Sequence, residues 1–263
     1  MEINKYFEEL IQKITIPQST LSKITSATNE IKSKSIEYSN IIEDIQIYGS
    51  FKTGTELKYS NFCDFSVDLY VQFKEGKTKK PMDLKPLIID ILSGLNAELK
   101  YDDLTSSIGL IYSEIKFEIV PAYKQFEKIF IPSNKKSLQK WISIDPNNQK
   151  LIIKNLDNKS SNKFSKITRI IKYWNVVNNE VYPRYEIEKI LIDLGIDLEA
   201  DFFAMFCFIG SNLPSKNVNK DNIKYLSKLK KSISSISYQK NLKIEEPYRG
   251  YYVSQIDDLF NKK

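Results

Sequence analysis

Three polar side chains on one short segment indicate the chemistry to look for. In FCDFSVDLYV, Asp64, Ser66 and Asp68 alternate with Phe65, Val67 and Leu69, so a β-strand would point all three to one face. A fourth candidate, Glu118, alternates in the same way in IKFEIVP. Carboxylates on neighbouring strands are oxygen ligands for a hard cation such as Mg²⁺ or Mn²⁺, whose remaining positions go to water and substrate phosphate. Upstream, a Gly49-Ser50 turn follows the apolar run that ends at Tyr48, and a Gly54-Thr55 step comes shortly after. Such a turn offers backbone N–H groups and a hydroxyl to phosphate oxygens. Acids and turn together predict nucleotidyl transfer, with two metal ions activating a 3′-hydroxyl and stabilising the departing pyrophosphate. The bland alternative is that Asp68 and Glu118 are solvated residues on exposed strand faces.

Composition removes several other chemistries. The chain of 263 residues contains no histidine, which excludes Ser-His-Asp and Cys-His catalysis, imidazole proton transfer and histidine metal ligands. Cys63 and Cys207 lack metal-ligand spacing and read as reduced thiols of a cytoplasmic protein. The opening MEINKYFEEL carries acids early, unlike a signal peptide, and no apolar run has the length to span a bilayer. A net charge of +6 suits polyanionic ligands such as nucleotides or RNA. The lysines along Lys154–Lys172 and Lys224–Lys231 would accommodate RNA, or are solvated helix faces.

The elements that must position these residues follow from periodicity. A helix is expected over residues 3–14, and a second after Pro17 from Ser19 to about Tyr38, with Leu21, Ile24, Ala27 and Ile31 as its stripe. Strands are expected at Ile45–Tyr48, across FCDFSVDLYVQF, at Ile108–Tyr112 and at Ile115–Val120, the last ended by Val120-Pro121. A basic loop at Lys74–Pro81 precedes a helix at Leu84–Leu95. From Phe130 the pattern becomes helical: Pro146–Leu156, Phe164–Val177, Arg184–Leu194, Asp201–Ser211 and Ile223–Ile236. Mixed α/β first and helices second predict an α+β fold of two lobes meeting at a cleft, with domains at 1–130 and 131–263.

The joint order of the motifs resembles the DNA-polymerase-β-type nucleotidyltransferases, within them the group of oligoadenylate synthetases, cyclic-GMP–AMP synthases and bacterial CD-NTases. Gly49-Ser50 with Gly54-Thr55, FSVDLYV and KFEIVPAY carry the resemblance, supported by IFIPS, Trp141 with Asp145-Pro146, and ITRIIKYWN, over about residues 40–195. The resemblance implies the bilobal nucleotidyltransferase fold, NTP substrates, Mg²⁺ or Mn²⁺, and a cyclic or linear oligonucleotide product read by a downstream effector in bacterial anti-phage signalling. It implies that Gly49 and Ser50 hold the triphosphate, that Asp68 and Glu118 bind metal, that Lys172 reaches the triphosphate, and that Tyr185 stacks on a base.

Two residues depart from the family pattern. Ser66 stands where the first metal-binding acid is expected, and Arg184 stands where a serine often precedes the tyrosine; its guanidinium still suits phosphate or carboxylate. Asp64 lies on the same face as Ser66, two residues back, roughly 6.5–7 Å along a strand, and would substitute only if the strand bulged or slipped. Ser66 therefore fits an engineered loss of activity, a natural nucleotide-binding pseudoenzyme, or an active site that uses Asp64. The competing classes are a non-catalytic nucleotide sensor or partner-binding module, and a transferase acting on RNA or protein.

Overall fold

The computed structural model describes residues 3–58, 66–101, 106–133, 140–216, 218, 220–241 and 249–261. In chain order its longer elements are α1 (Ile3–Ile14), α2 (Gln18–Lys34), β1 (Ile42–Ile47), α3 (Gly49–Thr53), β2 (Val67–Phe73), α4 (Lys85–Ser93) and β3 (Glu98–Lys100). They continue as β4 (Ile108–Tyr112), β5 (Ile115–Gln125), β6 (Lys128–Pro132), β7 (Trp141–Ile144), α5 (Pro146–Ser160), α6 (Lys163–Val177) and α7 (Arg184–Leu194). The last are α8 (Phe202–Asn212), α9 (Ile223–Asn241) and α10 (Arg249–Phe260).

These elements form two compact units, each discontinuous in sequence. One comprises Met1–Ile16, Thr55–Asp64 and Ile153–Lys263; the other comprises Pro17–Gly54 and Phe65–Ile152. A single boundary at 130/131 does not describe this division, because α1 belongs with the helices. Its stripe of Tyr6, Phe7, Leu10 and Ile11 is buried, and the Phe7 ring lies 5.2 Å from that of Phe206 on α8. Such long-range pairing leaves no trace in a helix's own periodicity.

The sheet unit orders its strands β1-β2-β5-β4-β3. β2 runs parallel to β5, while the β1–β2, β5–β4 and β4–β3 pairs are antiparallel. Val67, Leu69 and Val71 of β2 join Phe117 and Ile119 of β5 in one core with Ile24 and Ile31 of α2 and Ile88 and Ile91 of α4. Alternation places residues 68, 70 and 72 on the opposite face.

Two sequence expectations fail within this unit. Pro121 does not end β5, which continues to Gln125. Its missing N–H is tolerated because the ladder with β4 stops at Ile108↔Ile119 and that with β6 starts at Tyr123↔Phe130. Pro121 falls in the gap, at a local sheet edge. Phe130, expected at the onset of the helical half, instead lies in β6, its ring stacked 4.7 Å from Tyr123. β6 and β7 are short and carry few alternating pairs, so neither announces itself by period.

In the helical unit α6 is central, with Ile167, Ile170, Ile171 and Trp174 fully buried. α10 buries Ile256, Leu259 and Phe260.

Candidate active site

The register of β2 and β5 brings the predicted acids together. Asp68 is the direct partner of Glu118 across the parallel pair, so their Cα atoms are about 4.8 Å apart and their side chains share the face opposite the core. β1 delivers the Gly-Ser turn to the same place: its ladder with β2 ends at Ile47↔Leu69, and the Tyr48 N–H then donates to the Asp68 carbonyl at 2.8 Å.

Gly49 opens α3 with φ of +65° and lies directly against the Asp68 side chain. A Cβ at this position would overlap an Asp68 carboxylate oxygen and sit 3.3 Å from its Cγ. Glycine is therefore required twice, for its left-handed backbone and for the close approach. Ser50 follows in the first turn of α3, and Gly54 caps the helix with φ of +72°.

Behind the acids the site face is aromatic. The Tyr70 ring stacks on Tyr48 at 4.3 Å, and the Lys52 ammonium lies 3.9 Å over the Tyr48 ring. Burial, then the Asp68 charge, push the Tyr70 phenol above its ordinary range, with Tyr48 and Glu118 adding to it. Burial, then the neighbouring Lys150 ammonium, lower Lys52. Tyr70 thus remains neutral at physiological pH and adds no negative charge next to the carboxylates.

Ser66 is half-buried and immediately precedes the first ladder pair, Val67↔Phe117. Asp64 lies outside the described residues. Among the described residues no three His, Cys, Asp or Glu side chains gather as a metal site. Asp68 and Glu118, adjacent across the strand pair, offer carboxylate oxygens suited to Mg²⁺, which is commonly held by one or two carboxylates plus water and substrate phosphates.

The remaining predicted residues belong to the helical unit. Lys172 is buried, ion-paired with Glu188 at 2.6 Å and hydrogen-bonded to the Thr55 hydroxyl at 2.8 Å. Thr55 in turn donates to the same Glu188 oxygen. Beside them the Arg169 guanidinium lies 3.8 Å from the buried Glu56 carboxylate. Burial foremost raises Glu56 above the ordinary carboxyl range, although Arg169 and Lys172 lower it. Tyr185 is 78% exposed at the start of α7, and Arg184 pairs with Glu180 at 2.5 Å.

Sequence reasoning passed over Glu188 and Glu56. The available signal for Glu188 was an acid on the stripe of α7 that also carries Leu191, where an apolar residue is expected.

A mixed sheet that sets paired acids beside a Gly-Ser helix start, together with a helical unit, has the architecture of a polymerase-β-type nucleotidyltransferase. Residues 1–156 match the Second Messenger Oligonucleotide or Dinucleotide Synthetase domain, and the chain belongs to this family, that of the CD-NTases. No curated protein matches the chain. Among solved structures it is similar to CdnC of E. coli MS115-1 with ATP, at 15% identity over 99% of this chain and 98% of that one, with a TM-score of 0.70. It is similar to the CD-NTase CdnG of Bradyrhizobium diazoefficiens in complex with GTP, at 10% identity over 98% of both chains, TM-score 0.66. The 3′-deoxy GTP-bound form of Escherichia coli DncV matches at 11% identity over 99% of this chain and 96% of that one, TM-score 0.66. At these identities the likeness is one of fold.

Proposed function

We propose that this nucleotidyltransferase joins NTPs into a cyclic or linear oligonucleotide second messenger, in the presence of Mg²⁺ or Mn²⁺. The observation that carries this is the Asp68↔Glu118 register beside Gly49. In the reaction the 3′-hydroxyl of one nucleotide attacks the α-phosphate of another, and pyrophosphate leaves. Asp68 and Glu118 would hold the metal, with Ser66 as a neutral and weaker donor. The metal, when bound, supplies charge to the phosphate oxygens and lowers the pKa of the attacking hydroxyl. The N–H groups at the start of α3, from Gly49 and Ser50, would hold the triphosphate. On the helical unit the exposed Tyr185 ring is open to stacking on a base and Arg184 would offer a guanidinium to phosphate, while Lys172 stays engaged by Glu188 and Thr55. Second-messenger synthesis by the family supports a product that a downstream effector would read, and we place the protein in the cytoplasm in anti-phage signalling.

A second reading rests on Ser66. With a hydroxyl in place of the first acid, and no third carboxylate gathered among the described residues, the chain would bind nucleotide without turning it over.

One experiment separates these. The chain and its Ser66→Asp variant are incubated with labelled ATP and GTP and with Mg²⁺ or Mn²⁺, and both binding and product are measured. The expected result is nucleotide binding by both chains and at least tenfold more product from Ser66→Asp. Binding by both with product from neither establishes the non-catalytic reading. Absence of binding in both refutes the proposed function.

A further inference from the structure

Residues 178–183 join α6 to α7, and Tyr185, whose ring is proposed to take a base, lies just beyond that connection. The connection does not follow the easiest backbone path. Asn179 and Glu180 take left-handed conformations in succession, with φ of +62° and +54°. Asparagine visits that region readily, whereas glutamate meets the full Cβ penalty there. Pro183, at the N-cap of α7, has no polar side chain with which to anchor the helix start. Other parts of the chain must hold this path.

Buried amides do so. Asn175, fully buried on α6, grips Tyr182 at both ends of its amide. Its Nδ2 donates to the Tyr182 carbonyl at 2.9 Å, and its Oδ1 accepts from the Tyr182 N–H at 2.8 Å. The backbone carbonyl of Asn175 accepts from the Glu180 N–H at 2.8 Å. Asn222, the residue before α9, donates to the carbonyls of Asn179 at 2.7 Å and Glu180 at 3.4 Å. The Tyr182 ring is itself fully buried, and its hydroxyl donates to the Pro214 carbonyl. All these residues belong to the helical unit.

A buried amide adds little net stability and is tolerated only when its hydrogen bonds are made. What a satisfied polar network supplies is one rigid geometry, and backbone strain maintained by its surroundings points to a place where position matters. Here the locked Tyr182 stands three residues before a tyrosine that is largely exposed. We infer that Asn175 and Asn222 are positioning residues, which fix the entry into α7 and thereby the placement of the Tyr185 ring under a nucleotide base. The inference rests on the proposed function, in which Tyr185 is that stacking platform.

The test is a double-mutant cycle in the full chain. Asn175→Ala, Asn222→Ala and Asn222→Asp, the last nearly isosteric but without the donor, are each made alone and with Tyr185→Ala. Affinities for ATP and GTP are measured with Mg²⁺ by calorimetry, and urea midpoints show which variants are folded. Tyr185→Ala is expected to weaken nucleotide binding at least about fivefold, the scale of one base stacked on an aromatic ring. Each asparagine variant is expected to weaken it roughly threefold to tenfold, as the held conformation loses population with the hydrogen bond. In the Tyr185→Ala background the same asparagine changes should weaken binding by less than about twofold, because the ring they position is gone. A merely structural role would shift urea midpoints and leave affinity alone, or give the same loss in both backgrounds; either result overturns the inference. If Asn175→Ala does not fold, the two Asn222 variants decide. If the parent chain binds nucleotide and Tyr185→Ala binds it equally well, the stacking role fails and this inference with it, while the metal-site reading stands. Binding by none of the chains refutes the proposed function as a whole.

Discussion

Gly49 and Gly54 bracket the same short helix, and alanine at each tests how closely the turn abuts the face that carries Asp68. Both glycines have left-handed backbones, at φ of +65° and +72°, so either alanine costs about 1–2 kcal/mol in backbone strain. At Gly54 nothing lies within 4 Å of the added Cβ, and strain is the whole cost. At Gly49 the Cβ falls on the Asp68 carboxylate, which must leave its rotamer for a further ~0.5–1.5 kcal/mol. Gly49→Ala is therefore expected to be about 1.5–3.5 kcal/mol less stable than the parent chain, by summing the two terms. Urea denaturation measures the stabilities, and electron paramagnetic resonance of Mn²⁺ measures metal affinity. Gly54→Ala should retain its Mn²⁺ affinity, whereas Gly49→Ala should lose at least tenfold because Asp68 is displaced. Equal destabilisation of the two variants with unchanged Mn²⁺ binding would refute the placement of Gly49 against Asp68.

Two further predictions concern stability. The β4–β5 connection is a two-residue turn, Ser113-Glu114, with φ of +49° and +64°. Glu114→Gly should stabilise the protein by about 0.5–1 kcal/mol by removing the left-handed penalty, seen as a higher urea midpoint; a lower one would contradict the assigned turn. Glu56 has a raised folded pKa, so its contribution is full below the unfolded carboxyl value and is lost as pH rises through the folded one. Glu56→Gln should accordingly gain stability relative to the parent chain at pH 7 and show a smaller gain at pH 4. A gain that grows toward acid would reverse the sign assigned to Glu56.

What the sequence disclosed divides along physical lines. Asp68 and Glu118 were legible because each sits in a period-two segment, and the resemblance supplied their association; the strand partnership itself, parallel across some fifty residues, had no local signature. The Gly-Ser turn was legible as a turn, but its packing against Asp68 depends on where β1 ends relative to β2. Helices α6 and α7 fell where periodicity put them. β6, β7 and α10 did not, since their burial is decided by partners distant in sequence. Lys172 looked like a side chain available to substrate because an amphipathic pattern cannot reveal a buried partner; Glu188, sixteen residues on, is what holds it. Pro121 misled by composition alone, since proline ends a strand only where a neighbour requires its N–H.

Ser66 precedes the first rung shared by β2 and β5, so its identity enters no cross-strand pair. Exchange of serine and aspartate there leaves every rung of the ladder as it was. If Ser66 occupies a metal-donor position, as proposed, folding and turnover would be separable at this one residue. A lineage could then silence or restore the chemistry by a single substitution without rebuilding the scaffold, and a silenced copy would keep the fold on which nucleotide binding depends.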